Sequence, residues 1–135
     1  MKKMITFVYG ASYLLIGIAH FTHTDLFTPI VPQLIGFPEL WVYLSGVVEL
    51  ALGLGLFFQR TRRHAAFLLI PLLLILYTAN FNMWWNDIPF NGVIMGPLGH
   101  LFRAFAQLLL LILALWIGNI WPFSMPSLAP EEVSG

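Results

Sequence analysis

Four long stretches with almost no formal charge recur along the chain and dominate its pattern of hydrophobic and polar positions. A helix rises about 1.5 Å per residue and a bilayer's hydrocarbon core is about 30 Å thick, so each stretch is long enough to cross a membrane. The predicted spans are residues 4–21, 40–58, 65–85 and 101–121. The pattern therefore predicts an all-α integral membrane four-helix bundle, with residues 1–135 as a single membrane domain.

The first stretch has two interpretations. Two lysines precede its apolar run and Gly17-Ile18-Ala19 loosely matches a cleavage site, as in a secretory signal peptide. Against this, one helical face carries a repeating set of small and polar residues, namely Gly10, Tyr13, Gly17 and His20. Small residues on one face let a second membrane helix approach closely. We therefore interpret this stretch as a helix that packs against another span.

Composition supports a membrane protein. The chain is 59% hydrophobic and 9% charged, whereas about a quarter of the residues in soluble domains are charged. The spans leave no room for a soluble catalytic domain, and they exclude a water-soluble nucleotide or nucleic-acid binder. The chain has no cysteine, which excludes thiol relays, disulfides, iron–sulfur clusters and cysteine-ligated zinc.

Basic residues predict the orientation. Two lysines precede the first predicted span and three arginines lie between the second and third, whereas residues 22–39 and 86–99 contain neither. The positive-inside rule therefore places both termini, including the tail of residues 122–135, in the cytoplasm, as in a multi-pass protein of the cell inner (cytoplasmic) membrane. The two outer connections mix prolines with apolar side chains, so we expect them to fold back over the outer end as a lid. Pro71 is expected to kink the third span.

Polar side chains within the spans carry the functional signal, because ionisable groups are costly there. Only Glu49 and Arg103 carry a formal charge in the spans, and we expect them to pair directly, through Gln107 or through a water. Alternating helix directions bring the candidate ligand-binding or polar-core residues to the outer half of the bundle: His20, Glu49, Tyr77, Asn80, His100, Arg103 and Gln107. This predicts an outward-facing pocket suited to an amphipathic small molecule.

Each candidate also has a purely structural interpretation. Glu49 can be a neutral packing residue, and Arg103 is close enough to the interface for its charged end to reach water. Tyr77 can be an interfacial anchor. His20 and His100 could ligate haem or a metal from two helices, but no supporting spacing accompanies them, so we predict no metal site.

An ordered set of short motifs resembles a known family. The motifs are Gly17-x-x-His20-Phe21, Pro29-x-x-Pro32, Ser45-Gly46-x-x-Glu49, Thr61-Arg62, Ala79-Asn80-x-x-Met83 and Arg103-x-x-x-Gln107. Together they resemble the DoxX-like family of small four-helix membrane proteins, which is related to the membrane subunit of thiosulfate:quinone oxidoreductase. The resemblance implies a four-helix membrane fold, a quinone as candidate cofactor, and a membrane or redox protein as candidate partner. The absence of cysteine argues against the thiol chemistry of some relatives.

Two functions remain open. The first, which we favour, is a non-catalytic accessory subunit or binder of a small amphipathic ligand. The second is a quinone-linked redox membrane subunit, in which His20, Glu49 and Arg103 supply hydrogen bonds and a proton. The sequence contains no nucleophile motif, phosphate-binding loop or metal motif, and it leaves open whether the protein is an enzyme. The expected partners are the lipid bilayer and an amphipathic molecule, with no nucleic acid.

Overall fold

The computed structural model describes residues 1–123, and its regular structure there is helical. Four long helices are apolar enough to cross a membrane: α1 (Lys2–Thr22), α3 (Pro38–Phe57), α4 (Gln59–Trp85) and α5 (Pro97–Ile117). A short helix, α2 (Thr24–Phe27), follows α1. The predicted all-α fold with four membrane-length helices is confirmed. Of the predicted tail, residues 124–135 lie outside the described residues.

Two helix boundaries differ from the prediction. Helix α5 begins at Pro97 and ends at Ile117, about one turn earlier than the predicted span at both ends. Proline favours the first turn of a helix, because the N–H it lacks would have no partner there. Helix α4 begins at Gln59, so the charged segment predicted to connect two spans is helical. A prediction from apolarity alone misses such polar helix ends.

The junction between α3 and α4 is a single residue, Phe58. Side chains of the first turn of α4 bond to the last carbonyls of α3: Thr61 Oγ1 donates to Gly55 O at 2.8 Å, and Arg62 Nε donates to Leu56 O at 2.9 Å. These carbonyls have no partner within their own helix, and a cation is favoured at a helix C-terminus. Arg62 and Thr61 therefore stabilise the α3–α4 hairpin.

Helices α1 and α3 pack antiparallel through two pairs of glycines. A Cβ atom added to Gly17 would lie 3.0 Å from the carbonyl oxygen of Gly46, and one added to Gly53 would lie 3.0 Å from that of Gly10. Any side chain at these positions would push the helices apart. The predicted contact face of the first span is therefore confirmed.

The apolar core lies in the half of the bundle nearest Phe58, which we call the turn end. Its buried side chains include Tyr9, Leu56, Leu69 and Ala114. Tyr9 donates a hydrogen bond to Leu110 O at 2.7 Å, which joins α1 to α5. At the opposite end, here the loop end, residues 23–37 and 86–96 connect the helices. The compact core at the turn end leaves the space between the helices open toward the loop end.

Candidate functional site

A cavity of about 800 Å³ lies in the loop half of the bundle, within the size range of small-molecule sites. All four long helices contribute to its wall, together with residues of the two connections. Most of the wall is apolar. Its polar members are Ser12, Tyr13, His20, Ser45, Glu49, Thr78, Asn80, Arg103 and Gln107.

Five of the seven predicted site residues line this cavity: His20, Glu49, Asn80, Arg103 and Gln107. The other two, Tyr77 and His100, are not among its lining residues. His100 lies in the first turn of α5 and is buried, and its ring stacks on Trp84 with the ring centroids 5.3 Å apart. Tyr77 is half-buried outside the cavity wall. The structure therefore does not place these two with the other five.

Glu49 is the most deeply buried ionisable residue of the cavity wall, with 2% of its surface exposed. Its Oε2 atom lies 3.1 Å from His20 Nδ1. The same nitrogen lies 2.8 Å from the carbonyl oxygen of Ile16, which is better placed to accept its N–H. Glu49 Oε2 therefore has no hydrogen-bond partner among the described residues, despite its proximity to the imidazole. Buried polar atoms are rarely left in this state, because desolvation without a partner is costly.

His20 is held by its own helix and by the first connection. Donation from Nδ1 to Ile16 O leaves Nε2 as the ring nitrogen available to another group. The imidazole stacks on Phe27 with the ring centroids 4.1 Å apart, and Phe27 meets Phe90 of the second connection at 5.9 Å. Phe27 and Phe90 thus bring the two connections together next to the cavity.

Arg103 binds a neighbour other than the one predicted. Its Nη1 donates to Asn80 Oδ1 at 2.7 Å, and its guanidinium lies 5.1 Å from the centroid of the Phe90 ring. Gln107 donates instead to Leu73 O at 2.6 Å. Within residues 1–123 the basic side chain next to Glu49 is His20, at 3.1 Å, and not Arg103. The predicted pair of Glu49 with Arg103, directly or through Gln107, is therefore wrong, and the pair bridged by a water stays a prediction.

The physical reason lies in the helix contacts. The glycine pairs bring α1, and with it His20, against the face of α3 that carries Glu49. Arg103 on α5 instead finds the amide oxygen of Asn80 on the adjacent helix α4. The cavity wall therefore holds two separate polar centres, His20 with Glu49 and Arg103 with Asn80.

Phe27 and Phe90 were not predicted as site residues. Both line the cavity, and each contacts one polar centre: Phe27 stacks on His20, and Phe90 lies under Arg103. Neither belongs to a motif. The one available signal was their location in connections too apolar to extend into water. As for metals, no group of three His, Asp or Glu side chains converges within the described part of the chain.

Residues 9–118 match the family described as "Domain of unknown function (DUF8561)". This range runs from Tyr9 in α1 to Gly118, the residue after α5, and so includes every residue of the two polar centres. No curated protein and no solved structure matches the chain. The chain therefore belongs to the DUF8561 family.

Proposed function

We propose that the protein binds a small amphipathic molecule in the 800 Å³ cavity, as a non-catalytic membrane module or accessory subunit. The observation that carries the proposal is Glu49, a buried residue that lines the cavity and whose Oε2 atom has no hydrogen-bond partner among residues 1–123. A ligand that donates a hydrogen bond to the carboxyl group would offset the cost of its burial.

The two polar centres define what the head group of the ligand must offer. A carboxyl oxygen accepts hydrogen bonds, so the atom facing Glu49 is a donor, such as a hydroxyl or a protonated amine. Arg103 uses one of its five N–H groups on Asn80, which leaves others for an acceptor atom. The apolar wall suits a hydrocarbon body. An ion fits poorly, because few oxygen ligands converge on one point.

In the proposed orientation the protein lies in the cell inner membrane, and its loop end faces away from the cytoplasm. The basic residues at the start of α1 and at the start of α4 lie at the turn end, and such residues are enriched on the cytoplasmic side. The ligand enters from the outside or laterally from the bilayer. Lateral entry between α3 and α4 is supported by lining residues that are also exposed at the surface, Leu44, Leu68 and Ile75.

The quinone-linked alternative, implied by the resemblance to DoxX-like proteins, uses the same cavity. It is favoured by the position of His20 and Glu49, two groups able to carry a proton, 3.1 Å apart on the wall. In this alternative the bound molecule changes its ultraviolet absorption on reduction. An amphipathic ligand without redox chemistry does not.

Native mass spectrometry of protein purified from membranes in mild detergent tests the proposal. We expect the parent to retain a small molecule that is released on collisional activation. An oxidised-minus-reduced ultraviolet spectrum of the extracted molecule then separates a quinone from a redox-inactive ligand. Parent protein that carries no adduct, and that gains none when total membrane lipid is added back, would contradict the proposal.

A further inference from the structure

We propose a second binding site, at the turn end of the bundle, for the phosphate group of an anionic phospholipid. A cleft of about 240 Å³ lies there between α1 and the α3–α4 hairpin. Its lining includes Lys3, Thr6, Phe7, Phe57, Gln59 and Arg62. The cleft shares no lining residue with the large cavity, so this inference does not depend on the function proposed above.

Positive charge accumulates around this cleft without an acidic neighbour in the described part of the chain. Helices α1 and α4 both begin at the turn end, and their first five residues contain Lys2, Lys3, Arg60, Arg62 and Arg63. Among residues 1–123 no carboxylate pairs with any of them. Lys2 instead donates to two neutral oxygens, Trp116 O at 2.8 Å and Asn119 Oδ1 at 2.6 Å. A bound anion would neutralise part of this charge.

Arg62 is fixed in place before any ligand arrives. Its Nε and Nη2 atoms donate to the carbonyl oxygens of Leu56 and Phe57, which holds the guanidinium at the wall of the cleft. Nη1 remains available to donate to a phosphate oxygen. Lys3 supplies a second cation from α1, and its side chain is exposed. The cleft thus combines one cation held by hydrogen bonds with one exposed cation.

The surroundings of the cleft favour a lipid over a free phosphate ion. Phe7 is 61% exposed, and its ring lies 5.2 Å from that of Phe57, measured between centroids. Met4 and Val8 on the same helix are also exposed. An acyl chain of the lipid can lie along this apolar surface while the lipid phosphate contacts Lys3 and Arg62 in the cleft. Basic clefts at the ends of membrane helices bind acidic lipid head groups in this way.

Binding of short-chain phosphatidylglycerol, measured by native mass spectrometry of the full-length protein in detergent, tests this site. Phosphatidylcholine of the same chain length and inorganic phosphate are the two comparison ligands. The test variant is Lys3→Gln, and Arg63→Gln is its matched control, because it removes the same charge from an exposed residue outside the cleft lining. Arg62 is left unchanged, since it also caps α3.

We expect phosphatidylglycerol to bind more tightly than phosphatidylcholine. Lys3→Gln should weaken phosphatidylglycerol binding about fivefold, while Arg63→Gln should change it by less than about twofold. Equal losses in the two variants would show diffuse attraction to the basic end, and would overturn the site. Equal binding of the two lipids would also overturn it. If inorganic phosphate displaces the lipid at equal concentration, the acyl chains contribute nothing to the affinity. That result would contradict the proposal that the phosphate belongs to a phospholipid.

Discussion

His20 Nδ1 lies 3.1 Å from Glu49 Oε2, yet the same nitrogen also faces the carbonyl oxygen of Ile16 at 2.8 Å. The proximity of the two side chains therefore does not satisfy the carboxyl group. Glu49 lines an apolar cavity and its Oε2 atom has no hydrogen-bond partner among residues 1–123, so we propose that the head group of a ligand binds at this side chain.

The glycine pairs determine this arrangement, and replacing one should disturb it. A Cβ atom at Gly46 would lie 2.9 Å from His20 Cβ and 3.1 Å from the carbonyl oxygen of Gly17. We predict that Gly46→Ala lowers the free energy of unfolding by about 1–3 kcal/mol, because backbone and side chain must both move. Thermal or denaturant unfolding in detergent measures it. Gly96→Ala is the control, since no atom lies within 4 Å of an added Cβ there; equal effects of the two substitutions would contradict the packing argument.

Arg62 should stabilise the α3–α4 hairpin more than the other arginines of the same helix. Its bonds to the carbonyls of Leu56 and Phe57 satisfy groups at the end of α3. We predict that Arg62→Gln costs about 1–2 kcal/mol in unfolding free energy, the range for charged hydrogen bonds that remain partly in contact with water. Arg63→Gln, at an exposed position, should stay within about 0.5 kcal/mol of the parent. Two variants of equal stability would show that the cap contributes nothing.

Double-mutant cycles can distinguish the polar pair that the structure contains from the pair that the sequence predicted. The Arg103–Asn80 bond of 2.7 Å predicts a coupling energy of about 0.5–3 kcal/mol between Arg103→Gln and Asn80→Ala. A cycle between Arg103→Gln and Glu49→Gln should give a smaller value, since these residues do not bond to each other. A larger coupling energy between Arg103 and Glu49 than between Arg103 and Asn80 would contradict the structure and support the pair predicted from the sequence.

The absence of cysteine allows a direct test of orientation. We predict that a single cysteine at Ile94, which is 62% exposed at the loop end, reacts with a membrane-impermeant maleimide in intact cells. A single cysteine at exposed Gln59 at the turn end should react only after the cells are opened. Labelling in the opposite order would invert the orientation and place the cavity toward the cytoplasm.

The four-helix architecture could be predicted because membrane spans are long and apolar, and the contact face of α1 could be predicted because its glycines recur at helical spacing. The end of a helix is less predictable. Residues 59–64 are polar, and nothing in their hydropathy distinguishes a polar first turn of α4 from a loop. The early start of α5 was signalled by Pro97, whose preference for a first turn outweighs the glycines around it.

Polar partners within the bundle were harder to predict than the bundle itself. Opposite charge suggested Glu49 with Arg103, but side chains pair with what the neighbouring helix presents. Two glycine contacts decide that Glu49 faces α1, and the proximity of α4 to α5 decides that Arg103 meets Asn80. Such pairings depend on how each helix is rotated about its axis and on which helices are adjacent. The hydrophobic periodicity of the sequence specifies neither.

The most direct test of the central claim is the amount of small molecule retained by Glu49→Gln compared with Glu39→Gln. Both substitutions remove one carboxylate from α3, but Glu39 is exposed in its first turn and lies outside the cavity wall. Native mass spectrometry of the two purified variants, at matched protein concentration and detergent, measures the fraction of protein with a bound adduct. We predict that Glu49→Gln loses about nine-tenths of the adduct, as expected when a hydrogen bond to a carboxylate is replaced by one to a neutral amide at a cost of about 1.5 kcal/mol, while Glu39→Gln keeps it. Equal retention by two folded variants would contradict a ligand held at Glu49.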